Sequence, residues 1–239
     1  VAETRLSVQQ SALNWLGDST NTNWTNAEVQ NYIQEGYDRL VLTTECLWTK
    51  DYLDDVAGTA TYTLPGNCTK IDRVTWNWRR LPAATFSELS RIDREFRTTQ
   101  GQPLTFSNDS DGLLTLRKYP IPSATATAGA DTNNTRIEYF KRGAALSVDG
   151  SGFDIPDRYV KYVKWFAIFR CLERNGSGQD LKMAAHFKAR YDAGVMRMLK
   201  RRELIRKSQT IRLGGSRRQR QPVELAKPPW NYGRPMRYS

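Results

Sequence analysis

Histidine is almost missing from this chain. His186 stands alone among 239 residues, so a multi-histidine metal site is impossible. Cysteine is scarce too: Cys46, Cys68 and Cys171 lie far apart, contain no CxxC pair, and leave one thiol over if the other two bond. This argues against a disulfide or zinc framework and for a reducing compartment. Long apolar runs are absent, and no window approaches the roughly 18 residues a membrane-spanning helix needs, so no membrane partner is expected. The opening VAETRLSVQQ lacks a basic stretch leading into an apolar run, and no secretory signal is expected there. Nor is there a phosphate-binding GxxxxGK[ST] loop, a GxSxG elbow or an HExxH helix, so the residues offer no catalytic, cofactor-binding or metal-binding set. Asp109-Ser110-Asp111-Gly112 starts like a calcium loop, but Pro120 stands where the closing glutamate belongs, and a plain turn is expected.

What remains is a chain that is 39% apolar and 26% charged, enough for a core, at a length suited to one domain with an inserted or appended unit. Its formal net charge of +11 is strongly segregated. Residues 197–239 hold thirteen Lys/Arg against Glu203 and Glu224, which accounts for all of the +11, while residues 1–196 balance at 23 basic and 23 acidic groups. A basic coat for solubility would not be confined to one end. A cationic arm on a neutral body is a device for reaching nucleic acid, an acidic protein groove, or both.

Periodicity divides the body. Residues 4–16 predict an amphipathic helix closed by Gly17. Thr25 and Glu28 form a capping box after Trp24, opening a helix that carries Val29, Ile33, Tyr37, Leu40, Leu47 and Trp48 and runs to about Lys50. Strands are expected at 59–65, 68–78, 103–107, 113–119 and 135–142, with a hairpin turn at 108–112 and a short helix at 87–96. Helix returns at Pro156, and the run 159–172 is apolar on nearly all sides, as in a helix packed between others or against another subunit. Tyr162, Trp165 and Phe169 are the candidates for such a subunit interface. After Gly176-Ser177-Gly178 a last helix over 179–206 completes an antiparallel hairpin, with Leu181, Ala184, Tyr191, Val195, Met198 and Leu199 as its buried stripe. The expected fold class is therefore α+β: an antiparallel helical bundle from 1–54 and 149–206, an inserted antiparallel β domain over 55–148, and an extended C-terminal arm over 207–239.

Core packing is the expectation for Cys46 and Cys171, and for Trp76 and Trp78, which alternation places on one strand face. His186 reads as an ordinary helix residue. The arm differs, because it has no local core. Arg212, Arg217, Arg218 and Arg220 suit phosphate, yet Pro228, Pro229, Trp230, Tyr232, Arg234 and Tyr238 beyond them suit a pocket on a protein partner, with prolines limiting the entropy lost on docking.

The order of the parts has a likeness. YTLPGNCTKIDRVTW, GQPLTFSN with LLTLRKYPIP, TRIEYFKRGAALS, and FDIPDRYVKYVKWFAIFRCLERNGSGQDLKMAAHFKARYDAGVMRML together resemble the head-to-tail adaptor proteins of tailed bacteriophages, over about residues 1–205. The Y-x-L-P opening of the β unit and the I-P-D-R-Y helix with its G-x-G-Q-D-L loop are the most specific pieces. The resemblance implies a structural virion protein, not an enzyme, present in host cytoplasm during assembly. It implies a ring of copies of itself, usually twelve, beneath the portal protein, with downstream tail or nozzle proteins below. The C-terminal extension would dock on the portal, and genomic DNA would pass through the channel without sequence readout. No cofactor is implied. The competing expectation is a nucleic-acid-binding protein with the arm on phosphate and the β unit as a platform.

Overall fold

The computed structural model describes residues 3–18, 20, 22–108, 114–125, 135–174, 176 and 178–218, with side chains through 204. The chain divides into two compact units, Val1–Met196 and Arg197–Ser239.

Local chemistry sets the first helices. Thr4 caps α1 (Arg5–Leu16) by accepting from the Ser7 amide, and Gly17 ends it in the left-handed conformation at φ 70°. The expected capping box opens α2 (Asn26–Thr44): Glu28 N–H donates to Thr25 Oγ1 at 3.3 Å and Thr25 N–H to Glu28 Oε2 at 3.0 Å. This helix stops short of the expected Lys50. Glu45 turns left-handed at φ 47°, and Trp48–Leu53 form strand β1. Thr43 and Thr44 are β-branched, Trp48, Thr49 and Tyr52 favour extended backbone, and pairing with a distant strand overrides the helical spacing of Leu47 and Trp48. Cys46 consequently lies beyond the helix and is exposed, while Cys171 is buried as expected and its thiol is pushed up to about 12 by burial.

The β elements are β1, β2 (Thr61–Thr63), β3 (Cys68–Trp76), β4 (Arg79–Leu81), β5 (Gln100–Gly101), β6 (Thr105–Ser107), β7 (Thr115–Tyr119), β8 (Ile121–Pro122) and β9 (Thr135–Lys141), with helix α3 (Phe86–Ile92) after β4. They form a four-stranded antiparallel sheet, β1-β9-β3-β4, a three-stranded antiparallel sheet, β2-β7-β6, and a two-residue parallel pair, β5-β8. Leu64, Val74, Trp76, Leu81, Phe106, Leu116, Ile137 and Tyr139 make one core shared by the two larger sheets. After β4 the chain passes to the second sheet, where Ala84 N–H donates to the Phe106 carbonyl and Phe106 N–H to that of Pro82. The hairpin β6–β7 is as expected, although residues 109–113, including Asp109 to Gly112, lie outside the described set.

Trp76 and Trp78 do not share a face. Asn77 and Trp78 have φ 45° and 63°, the two positive values of a tight turn that suits the twist of a hairpin. Trp76 therefore points into the core on β3, whereas Trp78 rides the turn at 78% exposure.

Helices α4 (Asp157–Glu173) and α5 (Leu181–Arg218) follow. Trp24 closes the end where their connection meets that of α1 and α2: its Nε1–H donates to the Cys171 carbonyl at 3.0 Å, and a Cβ on Gly178 would lie 2.7 Å from its ring. Gly178 also has φ 85°, so both space and backbone demand glycine there. On α5, Ala184, Tyr191, Val195 and Met198 are buried as expected; Phe187 joins them, meeting Trp15 edge-on at 4.2 Å, while Leu199 is only half-buried and Leu181 is 63% exposed. The helix runs to Arg218, past the expected end at 206. Its continuation, KSQTIRLGGSRR over 207–218, carries no apolar stripe and includes Gly214-Gly215, so neither periodicity nor local propensity marks it as helix.

Candidate functional site

The candidates from the sequence fall in several places. Arg212, Arg217 and Arg218 lie on α5 and not on extended chain, a correction to the expected start of the arm at 207. Arg220, Pro228, Pro229, Trp230, Tyr232, Arg234 and Tyr238 lie outside the described residues. On α4, Tyr162 and Phe169 are buried by the chain's own helices: a Cβ on Gly194 of α5 would fall 2.4 Å from the Tyr162 ring, and Phe169 meets Phe166 edge-on at 5.7 Å. Intramolecular packing accounts for both. Trp165 is half-buried, with Tyr162, Lys161 and Arg190 around its ring, so of the three it has surface to offer a neighbour. His186 is exposed on α5. Among the described residues no three His, Cys, Asp or Glu side chains gather to hold a metal ion.

Two features escaped sequence reading. One is a buried polar centre between the sheets. Asp55, 1% exposed, accepts from the Lys118 ammonium, from Thr135 Oγ1 at 2.8 Å and from Trp76 Nε1 at 2.8 Å. Lys118 is fully buried, with its Nζ 3.9 Å from the centre of the Tyr62 ring. Burial pulls the lysine below its ordinary pKa, while the hydrogen bond and charge of Asp55 oppose that shift. The Tyr62 hydroxyl donates to the Val56 carbonyl at 3.3 Å and accepts from its amide at 3.2 Å, so the segment carrying Asp55 is held at two points. The centre is closed to solvent and ties β2, β3, β7 and β9 to the residues after β1.

The other feature is the outward face of the four-stranded sheet. Directly opposed residues in an antiparallel ladder share a face, so the register reads it off in rows. Trp48, Phe140 and Lys70 make one row; Lys50, Glu138 and Arg73 the next; Tyr52, Arg136, Thr75 and Arg80 the third. Trp48 and Tyr52 are 47% and 40% exposed, and Lys50, Lys70, Arg73 and Arg80 all reach solvent. Glu138, buried in the middle, takes Arg136 in a short ion pair and Arg73 at 3.8 Å, while Lys70 pairs at its margin with Glu45 at 2.8 Å. A bulge between Ile71 and Arg73 sets Asp72 beside this row. Only the period-2 alternation of WTKDYL hinted at such a face, and it was hidden under a helical spacing that happened to include Leu47 and Trp48.

Neither feature holds the exposed, convergent set of groups that nucleophilic or acid–base chemistry needs. No curated protein matches the chain. The family model described as SU10 adaptor protein matches residues 4–220, nearly the whole chain, and the protein accordingly belongs to this family of phage head-to-tail adaptors.

Proposed function

We propose that the protein is the ring-forming structural adaptor that joins the capsid portal to the tail and lines part of the DNA channel. Membership of a head-to-tail adaptor family implies a virion component that associates with portal and tail parts in general. The charge segregation carries the finer reading, since residues 197–239 hold all of the net +11. On this reading helices α1, α2, α4 and α5 build the ring wall, the β domain projects from it with its lower boundary moved from 55 to β1 at Trp48, and residues 207–239 dock on the portal. Arg212, Arg217 and Arg218, on the last turns of α5, lead into the arm. Arg220 and Arg234 supply further charge, while Pro228, Pro229, Trp230, Tyr232 and Tyr238 supply apolar anchors.

A heterologous contact repeated by rotation closes into a ring, for which twelve copies is the family-typical number, and of Tyr162, Trp165 and Phe169 it is the half-buried Trp165 that has surface to contribute. Ordering one arm costs entropy and makes a single docking weak, but many arms on one ring act together and make the joint long-lived. Downstream, the ring meets tail or nozzle proteins, and the genome passes through without base readout.

The decisive test is a truncation. A chain lacking 207–239 is expected to purify folded and to fail to join portal-bearing capsids, read by negative-stain imaging and by co-sedimentation. Normal joining by the truncated chain would overturn the docking role.

A further inference from the structure

We infer that the outward face of the β1-β9-β3-β4 sheet binds the phosphate backbone of duplex DNA. Residues 1–196 are neutral as a whole, yet this one face sets Lys50, Lys70, Arg73, Arg80 and Arg136 against three acids: Glu138 in the ladder, Asp72 at the bulge and Glu45 at the margin. Strands lie about 4.8 Å apart and same-face residues about 6.8 Å apart along a strand, so these cations form a flat grid and not a point site. A grid of that kind suits a continuous line of phosphates.

The middle of the face separates nucleic acid from protein as the occupant. Its central row is Lys50, Glu138 and Arg73, all charged. The core of a protein–protein interface is depleted of charge, whereas protein–DNA interfaces are strongly positive. Glu138 fits the same picture as an internal brace. Buried between Arg73 and Arg136, it holds two guanidinium groups in place and leaves their remaining donors for phosphate oxygens. Trp48 and Tyr52 lie along the edge strand β1, where they present flat apolar surface beside the grid. Nothing on the face is arranged to read bases, so binding is independent of sequence.

This inference deepens the channel reading of the adaptor but does not depend on the arm. The two fail separately: arm docking on capsid joining, the sheet face on DNA affinity. The experiment uses the full chain and a fluorescent duplex of about 20 base pairs, with anisotropy titrations from about 50 to 200 mM salt. The triple variant Lys50→Gln/Arg73→Gln/Arg80→Gln is expected to bind more than tenfold more weakly at the low-salt end. Its log–log salt slope should be shallower by about 2.7, at about 0.9 for each phosphate that is no longer neutralised. The charge-keeping variant Lys50→Arg/Arg73→Lys/Arg80→Lys should retain the parental slope. Melting curves monitor folding; if the triple variant melts early, Lys50→Gln/Arg80→Gln, at two exposed positions, should reduce the slope by about 1.8. The inference is overturned by an unchanged affinity and slope in these variants, by loss confined to Arg217→Gln/Arg218→Gln/Arg220→Gln, or by polyglutamate competing as well as DNA, which would mark an acidic protein as the occupant.

Discussion

Asp55 and Lys118 are an ion pair with no access to water, and they are tolerated because their neighbours supply what water would. Three donors converge on the one carboxylate, and the ammonium faces both that carboxylate and the Tyr62 ring. Breaking such a pair from one side leaves an uncompensated buried charge and costs about 3–5 kcal/mol. Asp55→Ala should therefore lower the urea midpoint sharply or prevent folding at 37 °C. The double variant Asp55→Leu/Lys118→Met, which removes both charges while keeping volume, should recover most of the loss in the same denaturation experiment. If the single and double variants prove equally unstable, the pairing is not what holds the two sheets together. Glu138 invites a similar comparison, but its partners face solvent, and pairs screened by water contribute little.

Helix ends and helix crossings carry the next level. In the α1–α2 turn, burial pushes the Asp18 carboxyl up, but the backbone N–H groups of Trp24, Asn23 and Thr22 outweigh it and hold the group below its ordinary 3.8. A carboxylate with a depressed folded pKa contributes stability that is complete above its unfolded value and is lost as pH falls through the folded one. Acidification below 3.8 should thus erode stability, and Asp18→Asn should flatten that acid limb in urea titrations between about pH 5 and 2.5. The α2–α4 crossing depends on Gly36, where an added Cβ would meet Phe166 Cδ1 at 2.7 Å. Overpacking of this kind costs about 1–3 kcal/mol, against about 1 kcal/mol gained by replacing a helical glycine, so Gly36→Ala should destabilise by about 1 kcal/mol in chemical denaturation. A stabilised variant would show that Phe166 moves aside at no cost.

At the scale of the whole chain, charge and compactness separate along the sequence. Val1–Met196 is one compact unit with balanced charge, and the excess of basic groups lies beyond it. Removal of 207–239 should therefore leave the melting temperature within a few degrees of the parent, a change of under about 1 kcal/mol, while abolishing capsid joining. A large drop in melting temperature would make those residues part of the fold's own support instead. No helix among the described residues is long and apolar enough to cross a bilayer.

Signals spanning a few residues were legible without any structure. The Thr25–Glu28 capping box, the Gly17 stop, the β6–β7 hairpin and the α4 span all depend on neighbours within about one helical turn or one strand length, and the charge segregation needs only counting. The end of α2 and the split of Trp76 from Trp78 were not legible, because a partner strand and a left-handed turn overrule local spacing there. Lys118 and Thr135 reach Asp55 across 63 and 80 residues, and the cation rows exist only once β1 and β3 take their register on β9. A one-residue slip would send every one of those side chains to the opposite face. Sequence alone therefore determined helices α1 to α5, strands β2, β3, β6, β7 and β9 and the segregation of charge, but not β1, β4, β5 or β8, which exist only through their pairing. Which groups meet in the buried centre and on the outer sheet was decided by long-range pairing, whose closure no local pattern encodes.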